Sequence, residues 1–163
     1  MSSPGRHAGL ISRLRIHVDD VRRLTAGLDE PALARRTDSG KWSLKELACH
    51  LWVVQDLFDG RIQTMLDEDN PRITPYADSD GDPAFLNRVA MPASDSLPAF
   101  FDSRARFCAR LDALSPQSWD RPGLHPEYPH YSVRFQIEYM LHHEAHHLYQ
   151  MYQRRAPFGP IPA

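Results

Sequence analysis

The stretch HHEAHHLYQM, His142 to Met151, gathers four of the nine histidines of a 163-residue chain around one glutamate. Read as a helix turning about 100° per residue, it can be set against the apolar stripe of Val133, Ile137, Met140, Leu148 and Met151. His147 then stands roughly 70° from the stripe and His143 roughly 110°, so both flank the core, while His142 and His146 face solvent. His143 and His147 are one turn apart, and their imidazoles can converge on one ion. Glu144 projects along the stripe itself, where a bare carboxylate is costly. It needs a partner, such as a histidine N–H or the Trp42 indole, or a place close to a metal.

Outward from this helix, proline placement organises the chain. A proline in a helix interior costs about 3 kcal/mol, so the windows 8–28, 43–67, 97–114 and 131–154 are where long helices fit. Each shows helical periodicity: Leu10, Leu14, His17, Val21 and Leu24 in the first; Leu44, Leu47, Leu51, Val54, Phe58 and Ile62 in the second; Leu97, Phe100, Phe101, Phe107 and Leu111 in the third. Ser43 with Glu46 three residues on forms a capping box, and Ser132 is a second N-cap. Two long proline-rich connections, one holding a short helix near 85–89, suit a four-helix bundle with crossovers. The expected architecture is all-α, one domain over 1–163, with its core over about 8–155 and a short proline-rich tail.

His50 repeats the flank geometry in the second window, roughly 80° off the stripe of Leu44, Leu51, Phe58 and Ile62. Two helices thus carry histidine beside the core, where bundles build metal sites. Three neutral imidazoles, His50, His143 and His147, suit Zn²⁺, Ni²⁺ or Fe²⁺ with positions left open. The bland alternatives are a solvated histidine face and a packing role for His50. His17 falls centrally on its stripe and reads as a hydrogen-bonded core residue. His125 and His130 lie in a proline-rich loop and read as exposed, although that loop could reach a site. Cys49 points away from the histidines.

Composition bounds the function. Apolar residues make up 42% of the chain, charged residues 25%, and the formal net charge is -2, an ordinary globular balance with no basic surface for nucleic acid. The two cysteines form no disulfide framework, and no segment resembles a signal peptide or a membrane span. A cytoplasmic location is expected, with neither nucleic acid nor membrane as partner.

Two stretches resemble a known family. GKWSLKELACHLWVVQD, Gly40 to Asp56, is similar to the W-S-x-x-E-x-x-x-H-L pattern of the DinB-like superfamily, and HHEAHHLYQM is similar to its last-helix pattern H-[DE]-x-H-H-L-x-Q-[IM]. The segment Gln117 to Ile137 is similar in layout to the lead into that helix, so the resemblance spans most of 8–155. It implies an up-down-down-up four-helix bundle with metal ligands at His50, His143 and His147, the residues that the helical wheel placed on the core flanks. His146 matches the position that is not a ligand. The resemblance also implies relatives that use bacillithiol, mycothiol or glutathione for S-transfer or isomerisation, others described as metal-dependent hydrolases, and members that dimerise.

Four chemistries follow. A peptidase reading takes H-E-x-x-H literally, but Gln153 stands where a third zinc histidine would follow, and no strand is evident to align a peptide. A transferase would bind a low-molecular-weight thiol at the metal and direct it at a small electrophile. A hydrolase would use water instead. In either case Glu144 is the expected general base, or a group that orients a ligand imidazole. A non-enzymatic metal-binding or stress-response protein is the fourth. Expected lining residues are Trp42, Trp52, Tyr76, Trp119, His125 and Tyr128. Thiol transfer to a small molecule stands slightly ahead, and a homodimer is left open.

Overall fold

The computed structural model describes residues 5–76 and 80–163. Four long helices dominate: α1 (Gly5–Thr25), α3 (Leu44–Asp67), α5 (Ala93–Asp112) and α6 (Val133–Arg155), with two short ones, α2 (Glu30–Ala34) and α4 (Pro83–Ala90), in the connections. Among the described residues there is no strand, only isolated bridges between Arg72 and Leu124 and between Pro122 and Ser132. Among the described residues no helix is long and apolar enough to cross a membrane.

The helix directions follow from cross-helix pairs. Arg155 donates to the carbonyls of Leu24 and Ala26, so α6 ends where α1 ends, and the two are parallel. Arg15 pairs with Asp112 while Arg22 lies over Phe101, so α1 and α5 are antiparallel. His50 meets His143 while Arg61 donates to Gln136, so α3 and α6 are antiparallel. Trp52 stacks near Phe100 and Arg110 pairs with Asp59, so α3 and α5 run together. The order is up-down-down-up. α1 and α3 stand across one diagonal, each packed between α5 and α6.

Helix boundaries depart from the expected windows in three places. α1 stops at Thr25, followed by Gly27 at φ 74°, a backbone state that glycine adopts without steric cost. α2 begins at Glu30, with Pro31 in its first turn, behind the Asp29 cap, whose side chain accepts from Ala32 N–H at 3.0 Å. The third long helix starts four residues earlier than Leu97, at Ala93, with the Asp95 and Ser96 N–H groups donating to the Pro92 carbonyl. Pro98 therefore sits in its second turn. The carbonyl this proline leaves without an intrahelical donor belongs to Ser94, which is exposed to solvent, and that lowers the penalty.

Two apolar clusters fill the bundle. Leu14, Phe58, Phe107, Trp119, Ile137 and Met140 anchor one; Val21, Leu24, Leu47, Leu51, Phe100 and Met151 anchor the other. Full burial of each such side chain contributes about 1.5–3 kcal/mol. Near the junction of the clusters, on all four helices, lies a polar layer: Gln55, Arg104 and Glu144, all buried, with the half-buried His17. His143 and His147 bracket that layer on α6.

Candidate metal centre

The first turn of α3 is held firmly. Ser43 Oγ accepts from Glu46 N–H at 3.1 Å, the Glu46 carboxylate accepts from Ser43 N–H at 3.1 Å, and Arg36 donates to both Glu46 oxygens at 2.9 and 2.6 Å. His50 projects from the next turn. On α6, His143 and His147 project towards it. The His143 Nε2 lies 3.3 Å from His50 Nε2 and 3.1 Å from His147 Nε2, and a ligand atom from each of the three falls within 4.8 Å of the others.

That spacing fits a shared cation. Two imidazole nitrogens about 2.0–2.1 Å from Zn²⁺ at a tetrahedral angle stand about 3.3 Å apart. The protonation states fit as well. Burial, and to a lesser degree repulsion from His147, lowers His50 to about 4, so it is a neutral imidazole at pH 7. The His147 Nδ1 lies 2.7 Å from Gln150 Oε1. An amide oxygen only accepts, so Nδ1 carries the hydrogen and the Nε2 lone pair is turned to the cluster. The Trp42 ring covers His50 at 4.8 Å and His147 at 6.4 Å between centroids. A cleft of about 330 Å³ opens beside His147, lined also by Lys41, Trp42, Asp80, Gln150 and Arg154.

Glu144 has other partners. Arg104 donates to both its oxygens, one contact at 3.3 Å, and His17 Nδ1 lies 2.9 Å from Oε2. Burial pushes its pKa up, but the Arg104 charge and the His17 contact outweigh that and hold it below the usual value. The expected histidine partner is thus His17, in the core role read for it; Trp42 instead offers its carbonyl to Arg154 at 3.1 Å. His142 and His146 are exposed, as is His130. His125 is half-buried rather than exposed, because its ring stacks on Tyr131 at 4.9 Å.

Of the expected lining residues, Trp42 and Tyr76 face the triad, Tyr76 at 6.4 Å from His50. His125 and Tyr128 line a neighbouring hollow. Trp52 packs under Arg88 and Trp119 against His7, both away from the triad. Cys49 is buried outside the cluster, with its thiol pushed up to about 11 by burial. Sequence reasoning overlooked Arg104, although it shares the i, i+4, i+7 spacing of Phe100, Phe107 and Leu111 and so places a charge on the α5 apolar stripe. Gln150, one turn beyond His147, carried a similar signal. Arg61 and Arg154 carried none.

Comparison with known proteins bears on the family and the fold. The family model for the DinB superfamily matches residues 13–151. A protein of Oceanobacillus iheyensis named "Putative metal-dependent hydrolase" is 28% identical over 135 residues, covering 80% of this chain and 77% of the relative. The solved structure of YfiT from Bacillus subtilis, described as "a probable metal-dependent hydrolase with an unusual four-helix bundle topology", aligns with a TM-score of 0.78 at 19% identity, over 98% of this chain and 90% of the other. At that identity the likeness shows the fold. The chain belongs to the DinB superfamily.

Proposed function

We propose that the protein holds a divalent transition metal, Zn²⁺, Ni²⁺ or Fe²⁺, on His50, His143 and His147 and uses it in S-transfer from a low-molecular-weight thiol to a small electrophilic molecule. The observation that carries the metal reading is the convergence of three Nε2 atoms at 3.1 and 3.3 Å on one side of the bundle core. When bound, such a metal with open positions lowers the pKa of a coordinated thiol or water, so that the nucleophile forms near neutral pH.

The chain's own residues divide the remaining work. Gln150 fixes the tautomer of His147, and Trp42 shields His50 and His147 from water. Lys41 and Arg154 line the cleft beside His147 together with Asp80, and both pair with Asp38, at 3.9 and 3.4 Å, so the cleft presents a wall of mixed charge. The Glu144 carboxylate is occupied by Arg104 and His17, so its part is to orient α6 between the two ligands it separates rather than to move protons.

The names of the Oceanobacillus relative and of YfiT favour a second reading, hydrolysis by the same centre. Turnover of an electrophile panel by the metal-loaded protein, with and without thiol, separates the two. Thiol-dependent turnover that is lost in His50→Ala supports S-transfer, and thiol-independent turnover lost in the same variant supports hydrolysis. Full metal occupancy with no turnover in either arm returns the protein to a metal-binding role.

A further inference from the structure

A second hollow runs along the α3–α6 seam away from the triad. Phe58 and Tyr76 form its near wall, their rings 6.3 Å from His143 and 6.4 Å from His50 respectively. Its far wall is Arg61, whose guanidinium lies 5.3 Å from the Phe58 ring. One aromatic ring therefore separates a guanidinium from the histidine cluster.

The guanidinium is held in place. One of its terminal nitrogens donates to the Thr74 carbonyl at 2.6 Å, and the other to Gln136 Oε1 at 3.3 Å and the Tyr131 hydroxyl at 3.4 Å. Tyr131 in turn donates to Gln136. Those contacts engage three of five N–H groups among the described residues, and a planar fork of this kind matches a carboxylate edge. His125 adds a donor. Its Nδ1 accepts from Glu127 N–H at 3.1 Å, which leaves the hydrogen on Nε2. Tyr128 and Tyr139 supply hydroxyls on the remaining walls. The Glu127 carboxylate also borders the hollow but is exposed, so solvent screens it more than the half-buried Arg61. The volume, about 50 Å³, admits a few waters or one small acidic group, so the rest of a larger molecule would lie outside it.

We propose that this hollow is a carboxylate-binding subsite in which Arg61 recognises an acidic group of the substrate and directs the rest of that molecule to the triad. The second half rests on the triad being the reacting centre; the first half does not. The substrate class is then a small carboxylic acid whose electrophilic carbon lies beyond the width of one aromatic ring from its carboxylate.

The test is binding of butyrate against matched butyramide to zinc-loaded protein by calorimetry, in wild type, Arg61→Ala, Arg61→Gln and His50→Ala, with zinc content measured on the same samples. Wild type should prefer butyrate by about ten- to a hundredfold. The preference should vanish in both Arg61 variants and persist in His50→Ala. The Gln variant keeps the aliphatic stem and a neutral polar end at position 61, so it decides the matter if the Ala variant unfolds. Preference that survives loss of the Arg61 charge overturns the subsite. So does preference lost only in His50→Ala, because the carboxylate would then sit on the metal. If wild type takes up no zinc, the metal reading falls while the dependence on Arg61 is still measured.

Discussion

The Arg104 guanidinium and the Glu144 carboxylate form a pair inside the bundle in which both side chains are almost fully excluded from solvent, 1% and 2% exposed. Arg104 reaches it from α5 while also donating to the Leu14 carbonyl of α1 at 2.8 Å and to Gln55 of α3. One side chain thus ties all four long helices together. Such a pair is weak as a net source of stability but costly to break, because the surviving charge is left buried.

Arg104→Met should therefore destabilise the protein by about 3–5 kcal/mol, with Glu144→Gln of the same sign, whereas the double variant Arg104→Met with Glu144→Leu should recover much of the loss. Equilibrium urea unfolding reads all three. A Glu144→Gln protein of unchanged stability but abolished turnover would instead make Glu144 the proton-transfer group.

The division of the six-residue histidine cluster into inward and outward pairs makes a sharper demand. His50→Ala, His143→Ala and His147→Ala should each lose stoichiometric zinc after dialysis, because each removes one of three converging Nε2 atoms. His142→Ala and His146→Ala should keep it, since both side chains face solvent. Metal analysis of the five variants checks this, and equal losses across all five would refute the assignment.

Much of the bundle was legible because its helices obey local rules. Proline-free windows located α3 and α6 closely, and the wheel placed His50, His143 and His147 on core flanks with no tertiary information. The rule misled where proline is compatible with helix. Pro31 and Pro83 open α2 and α4, since a first-turn proline has no N–H bond to lose, and Pro98 is carried inside α5. Arg104 and Glu144 each put a charge on an apolar stripe, and opposite charges so placed on two helices are a buried pair waiting to be matched. Which loop side chains meet the triad was not legible. The approach of Arg61 to Tyr131 and Thr74 depends on how the 122–131 loop folds back onto α3, and no periodicity encodes that.

Gln150 tests the tautomer argument. Gln150→Leu removes the acceptor of His147 Nδ1–H, so zinc affinity should fall by about 10–100-fold. Unfolding free energy should stay within about 0.5 kcal/mol, as for other surface substitutions. Gln150→Glu, which keeps an acceptor oxygen, should retain the affinity. Competition with a chromophoric chelator measures both variants, and equal weakening in the two would mean that Gln150 acts by packing.

The cap of α3 sets a pH dependence of known sign. Burial pushes the Glu46 carboxylate up, but the Arg36 guanidinium and the Ser43 N–H and hydroxyl outweigh it, so its folded pKa lies below the ordinary value near 4.5. A depressed folded pKa means that the contribution is complete above 4.5 and is lost as pH falls through the folded value. Glu46→Gln keeps a capping-box acceptor but loses the ion pair and the proton linkage. Wild type should therefore exceed Glu46→Gln by about 1 kcal/mol at pH 7, a modest figure because Arg36 is half exposed. The gap should close towards pH 3. Buried carboxylates such as Glu144 titrate in both proteins and cancel in the difference. Because Glu46 lies one turn before His50, zinc affinity measured at pH 7 should weaken with the cap in Glu46→Ala, and a gap that stays constant from pH 7 to 3 would remove the ion pair from the account of how α3 presents His50.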